Sequence, residues 1–451
     1  MKIIPAVQSP AIQKKLGFFI VLTICLFSLS GCQKNWFEIV KHPGSSIPVN
    51  SADMVLLWNG AGMESVARLG TGPGGPLPPM PESRIYAILN IGLYDALNNI
   101  IVVDEPYALK SGAHPAADPD AAVAQAGHDI IAGLMPPVNA YADSLLTVSL
   151  NGIQDGYSKT QGIAIGKAAA AAILDNRAND GAANAQIPYT PGTAPGQYRA
   201  TPPFDAPPFN GFVAVPGWGN IKPFVMTSTS QFRAVPPYSV QSAAYATDLN
   251  EMKKLGGMVS SRTKEQTEIG LFWLENIPHK FNVIARALIA QENFDSWKAA
   301  RCLALLQMAE ADANIASLET KFFYNFWRPQ TAVPLGDHDG NSGTTGDVNW
   351  VVLAPPTPPV PDYPSNHAAN GGAATEVLRE FFGTDNMAFS TTSTTLPNVT
   401  RKYASFSAAA KDNYLSRIYV GYHFRNSVLK GEDQGEKVGK WVMANAAKPV
   451  N

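Results

Sequence analysis

Lys321 is followed seven positions later by Arg328-Pro329, nearly two helical turns, and this spacing predicts both basic side chains on one face of a helix that the proline then ends. Pro364-Ser365-Asn366-His367 is predicted to open a helix after a proline-rich loop, which points backbone N–H groups and a serine hydroxyl from the positive end of the helix dipole. Ser416-Arg417 is followed by His423, six positions beyond the arginine, on a helical face or at its end. One lysine, two arginines, a serine, exposed amides and two histidines make a cage for a tetrahedral oxyanion of phosphate type. Arginine supplies forked donors, lysine a point charge, and amides neutral donors that need no counter-charge. Of two histidines in such a cage, one can attack or coordinate the central atom through a ring nitrogen, and the other can act across the site as general acid or base.

Other chemistry-bearing residues read as structural. Asp337-His338-Asp339-Gly340-Asn341 has the look of a calcium loop, but the twelfth position from Asp337 is Val348, where a bidentate glutamate is needed. It is read as a plain loop. His42, His114, His128 and His279 are scattered without ligand spacing, and Cys302 sits in the apolar helical run Ala299 to Met308 as a core residue.

The elements that must position the cage are helices. Apolar residues recur at helical spacing through 54–69, 82–99, 118–135, 141–153 and 161–176, and again through 240–255, 264–275, 279–291, 294–326, 366–382, 407–422 and 430–446. No run of alternating strand pattern is visible. Two segments dense in proline and glycine, 188–237 and 334–364, interrupt the pattern. The aromatic content of the first argues for an ordered excursion packed on the core. The expected fold is all-α, a large bundle of ten to twelve helices in two packed halves with long ordered loops. A domain over 51–451 is expected, with the site in its C-terminal half, about 240–446.

With 45% hydrophobic and 16% charged residues among 451, the chain has ample material for a large core. Lys plus Arg number 34 and Asp plus Glu 36, so no net field attracts nucleic acid. Lys14 and Lys15 precede an apolar run too short for a comfortable bilayer span, ending in Leu29-Ser30-Gly31-Cys32, which looks like a bacterial lipobox. This predicts a signal peptide over 1–31, acylation of Cys32 and a tether over 32–50. The mature chain would then be anchored to a membrane of the cell envelope, on its periplasmic or extracellular side. With Cys25 in the signal and Cys32 lipidated, Cys302 has no disulfide partner.

Lys321, Arg328, Pro329, Pro364, Ser365, His367, Ser416, Arg417 and His423 resemble, residue by residue, the three signature motifs of the vanadium haloperoxidase and type 2 phosphatidic acid phosphatase superfamily. Further stretches resemble its bacterial haloperoxidase-like branch: Ser83-Arg84 through Tyr94-Asp95-Ala96, Gly217-Trp218-Gly219 with Pro223-Phe224, Phe232-Arg233 with Pro236-Pro237, and Ala311-Asp312-Ala313 leading to Phe326-Trp327. The resemblance covers roughly 51–446. It implies a vanadate cofactor ligated by His423, an acid-base role for His367, and oxyanion binding by Lys321, Arg328, Ser365, Asn366 and Arg417. It implies hydrogen peroxide and halide as substrates, hypohalous acid as product, and, as a further expectation, a homodimer. The alternative within the superfamily is an acid phosphatase that needs no vanadate and makes a phosphohistidine at His423. Asn366 replaces the usual glycine, and Ser427 stands where many members have aspartate, so the second nitrogen of His423 is expected to pair with Ser427, Asn426 or a carbonyl. Val360 occupies a position where relatives carry an aromatic or histidine that tunes halide use.

Overall fold

Segments with an apolar helical stripe cannot stand alone in water, and here they bury one another. The computed structural model describes residues 51–72 and 75–450; the predicted signal peptide, Cys32 and the tether lie outside the described residues. The helices are α1 (Asp53–Gly70), α2 (Pro79–Asn98), α3 (Pro119–Leu134), α4 (Asn139–Asn151), α5 (Tyr157–Ala178), α6 (Ala243–Leu255), α7 (Lys264–Phe272), α8 (Ile277–Gln291), α9 (Ser296–Tyr324), α10 (Pro329–Ala332), α11 (Asn366–Phe382), α12 (Phe406–Tyr419) and α13 (Arg425–Asn445). The all-α expectation holds. The thirteenth helix is the four-residue α10, too short to show a period.

One expectation needs correction. Phe389–Thr392 (β1) and Thr400–Tyr403 (β2) form an antiparallel hairpin with Phe389 opposite Tyr403. Its strands are only four residues long and are rich in Thr, Ser and basic residues, so the alternation is too brief to register. The aromatic pair, ring centroids 5.6 Å apart, and the Trp273 ring 6.1 Å from Tyr403 pin it to the helices.

α9 is the axis of the bundle. Most of its 29 residues are buried, polar ones such as Gln307, Glu310, Asp312, Asn314 and Lys321 among them, as in a helix enclosed on most sides by others. It packs against α2 of the N-terminal group and against α8, α11 and α13 of the C-terminal group, so the two halves meet along it. Asp295 caps its start by accepting from Lys298 N at 2.8 Å, and Asn325, at φ 53°, ends it.

The loop over 188–237 is ordered, as expected. Asp312 on α9 accepts the amides of Phe224, Val225 and Met226 at 2.6–2.8 Å. Asp95 on α2 does the same for Tyr107, Ala108 and Leu109 at 2.6–2.9 Å. Both aspartates belong to the stretches that carry the family resemblance outside the motifs, and both act as anchors for long loops. Asp339 has a local role, accepting from Asn341 N and from the Thr344 hydroxyl at 2.8–3.0 Å. Cys302 is fully buried in the core.

Candidate active site

The Lys321 and Arg328 side chains do not leave one helical face, contrary to the spacing argument. α9 stops at Tyr324, Asn325 turns the chain, and Arg328 follows in extended backbone as the residue before α10. The proline does not end the first helix; it starts the second, where its fixed φ suits the first turn. The two cations nevertheless converge, because both reach the same loop. Lys321 Nζ donates to the carbonyls of Pro361 and Asp362 at 2.7 and 2.9 Å. Arg328 Nε donates to Val360 O at 2.8 Å, and Nη1 to Tyr422 O at 2.9 Å.

Ser365 is the N-cap of α11, as expected, its hydroxyl accepting from Ala368 N at 3.3 Å. Asn366 is the first residue of the helix and His367 the second, so both lie in the turn whose amides lack intrahelical partners. Arg417 is in the last turn of α12 and donates through Nη1 to Trp273 O at 3.1 Å, with its guanidinium 4.7 Å from the centre of the Tyr422 ring. The chain leaves α12 through Gly421, at φ 85°, and the His423 amide turns back onto Arg417 O at 3.3 Å. This turn sets His423 just past the helix end.

The imidazole of His423 lies between Arg328 and Asp362. Nε2 is 2.9 Å from Arg328 Nη1, and Nδ1 is 2.9 Å from Asp362 Oδ1. The expectation that the second nitrogen turns to Ser427, Asn426 or a carbonyl is corrected. The neighbour is Asp362, and Ser427 instead donates its hydroxyl to the other oxygen of that carboxylate. Asn426 is engaged elsewhere, its amide donating to Asp248 at 2.8 Å. Sequence reasoning missed Asp362. A lone acid in a proline-rich loop carries no spacing signal in the sequence; only the structure shows that the cations grip that loop.

Three cations and one carboxylate are thus buried together, with Lys321 and Arg328 at 0% exposure, Arg417 at 4% and Asp362 at 0%. Burial first, and then the charge of Arg328, hold the Lys321 ammonium well below the usual lysine range. Burial brings the Arg417 guanidinium down to about 10. The Asp362 carboxyl is pushed up to about 7 by burial, against the pull of Arg328 and Lys321. Both histidines are held well below the usual range, His423 by burial and then by Arg328, Lys321, Arg417 and His367, and His367 by burial and then by Arg417. Both imidazoles are therefore neutral at pH 7. Arg328 contacts His423, Lys321 grips the loop that carries Asp362, Arg417 lies over the Tyr422 ring, and Asn413 on the same helix as Arg417 donates to His367 O, so the three segments are brought together.

Residues 301–451 match the family model described as the VCPO second helical-bundle domain. Vanadium chloroperoxidase of Curvularia inaequalis is 25% identical in sequence, over 74% of this chain and 66% of that protein. The chain thus spans just under two thirds of that relative's length. The solved structure described as the first bacterial vanadium-dependent iodoperoxidase is similar with a TM-score of 0.73 and 24% identity, covering 90% of this chain and 99% of that one. A holo-type bacterial vanadium-dependent chloroperoxidase is similar with a TM-score of 0.69 and 17% identity, covering 89% and 98%. The C-terminal third of the chain is thus similar to the second helical-bundle domain of vanadium chloroperoxidase, and its fold is that of the bacterial vanadium-dependent haloperoxidases. The residues of the site fit an oxyanion on two counts. The buried positive charge is in excess of the single carboxylate, and two buried nitrogens, His367 Nε2 and Arg417 Nε, have no hydrogen-bond partner. Orphaned polar atoms of this kind are costly unless a ligand satisfies them.

Proposed function

We propose that this chain binds vanadate through His423 and oxidises halide with hydrogen peroxide to hypohalous acid. The observation that carries the reading is the cluster of three buried cations beside two neutral imidazoles, with unpaired nitrogens on His367 and Arg417. Vanadate, when bound, supplies a Lewis-acidic centre that activates hydrogen peroxide. Lys321, Arg328 and Arg417 hold the anion's oxygens and balance its charge, with Asn366 and its neighbours at the start of α11 adding neutral amide donors. His423, being neutral, has a ring nitrogen free of its proton to serve as ligand. Oxidation of halide by peroxide consumes one proton and releases water, so the site needs a group that both takes and gives a proton. His367 is neutral, and its Nε2 is unpaired and buried beside the Arg417 charge, which suits that exchange. The lipobox-like segment supports a place outside the cytoplasm, anchored through Cys32.

With orthovanadate added, the purified chain is expected to oxidise at least one of iodide, bromide and chloride, and His423→Ala to lose that activity. A wild-type chain saturated with vanadate that turns over none of the three defeats the proposal. A second reading rests on the same neutral His423, which can equally attack phosphorus and form a phosphohistidine from a phosphate monoester. It predicts hydrolysis of p-nitrophenyl phosphate in vanadate-free buffer and inhibition by vanadate, whereas a haloperoxidase is expected to be feeble in that assay.

A further inference from the structure

The two neighbours of the His423 ring have opposite hydrogen-bonding character. Arg328 Nη1, 2.9 Å from Nε2 and 3.3 Å from Nδ1, can only donate. The Asp362 carboxyl, with Oδ1 2.9 Å from Nδ1, can only accept in its ionised form, the form that the Arg328 and Lys321 charges favour. A neutral imidazole between such groups satisfies both in one tautomer, with the proton on Nδ1 and the lone pair on Nε2. The carboxylate is itself fixed. Ser427 donates to Oδ2, the Asp362 amide donates to Phe326 O at 2.8 Å, and the Asp362 carbonyl accepts Lys321 Nζ at 2.9 Å. Oδ1 is buried and has no aligned donor, so it is an acceptor that the Nδ1–H of His423 can satisfy by a small turn of the ring.

We infer that Asp362 is a positioning residue, a carboxylate supplied by the proline-rich loop that fixes the Nδ1–H tautomer of His423 and aims its Nε2 into the anion site, with Ser427 holding that carboxylate in place. The same loop carbonyls are gripped by Lys321 and Arg328, so the arrangement ties ring orientation to the cations that face the anion. This rests on the oxyanion-site reading and adds the group that orients its ligand nitrogen.

The test uses the full chain and orthovanadate, with binding followed by isothermal titration. Asp362→Asn, nearly isosteric, is expected to weaken vanadate binding roughly 10–100-fold, the usual effect of removing a partner that orients a ligand. Ser427→Ala is expected to weaken it by less, since the carboxylate remains. Histidine labelled with ¹⁵N gives a readout that loss of stability alone would not move. In the wild type, the His423 signals, assigned by their loss in His423→Ala, should show a protonated Nδ1 and an unprotonated Nε2, and in Asp362→Asn that pattern should be lost. Affinity equal to wild type in Asp362→Asn, or an unchanged tautomer, overturns the inference. Should Asp362→Asn not fold, Ser427→Ala decides: weakened vanadate binding supports the role, and unchanged binding overturns it. A wild-type chain that binds neither vanadate nor inorganic phosphate overturns the anion-site reading itself, and this inference with it.

Discussion

Lys321 is the most exposed of the site's groups to conflicting demands. Its ammonium is fully buried and repelled by Arg328, and its two partners are neutral carbonyls. A buried cation held in that way costs stability until an anion arrives. Lys321→Met keeps the length of the side chain and removes the charge. It is expected to weaken vanadate binding about 10–100-fold, as loss of a charge-assisted hydrogen bond does, while the melting temperature without anion changes little or rises. Titration and thermal denaturation on the same variant check both halves, and a large fall in melting temperature would instead make Lys321 chiefly a clasp for the Pro361 and Asp362 carbonyls. The seven candidate site residues were legible because their types and spacings are rare together. Asp362 was not, since a single acid between prolines carries no spacing signal and its partners, His423 and Ser427, come from another part of the chain.

At the scale of elements, the site depends on how closely α11 can approach α13. Gly431, Gly435 and Gly439 recur every four residues on α13, and a Cβ at the first two would lie well inside van der Waals contact with the carbonyl oxygens of Ser365 and Ala369 on α11. The absence of side chains lets the backbone of α11, which begins with Ser365 as its cap and carries His367 in its first turn, lie directly on α13. Gly435→Ala has no flexible neighbour to displace, because what it meets is backbone. It is expected to cost roughly 1–3 kcal/mol or more by overpacking, read from denaturant unfolding, and to weaken anion binding as α11 shifts. A variant as stable as wild type would show that the helices can part without cost. The helices themselves were legible because their apolar period runs over many residues. The break at Asn325 was not, because Lys321 and Arg328 fit a continuous helix equally well and only a left-handed backbone at Asn325 reveals the turn. The hairpin was hidden for a different reason, its burial being supplied by Trp273 and Phe406 from elsewhere in the chain.

Across the whole molecule, the joint between the two halves is not purely apolar. Along α2 and α9, Glu82 and Glu310 are buried at 3% and 0% exposure, and neither carboxylate oxygen of Glu310 has a partner. Burial, followed by the Glu82 charge, pushes the Glu310 carboxyl well above its usual range, favouring its protonated, neutral form. The Glu82 carboxyl, which accepts a hydrogen bond from Asn276 on the other side of the joint, is pushed by burial from its ordinary 4.5 to about 7. In the unfolded chain Glu82 releases its proton as pH rises through 4.5, whereas the folded chain keeps it until about 7. The folded state therefore binds more protons across that window, and the stability Glu82 contributes falls from pH 4.5 to 7 and then levels off. A shift of that size corresponds to at most roughly 3.4 kcal/mol. Glu82→Gln keeps the shape and a hydrogen-bonding oxygen for Asn276 but does not titrate. Its stability relative to wild type, measured by urea unfolding at a series of pH values, is expected to rise across that window and reach its plateau near neutrality. A difference that stays flat with pH would show that Glu82 ionises in the fold as it does in water, and that the joint between the halves is wetter than its burial implies.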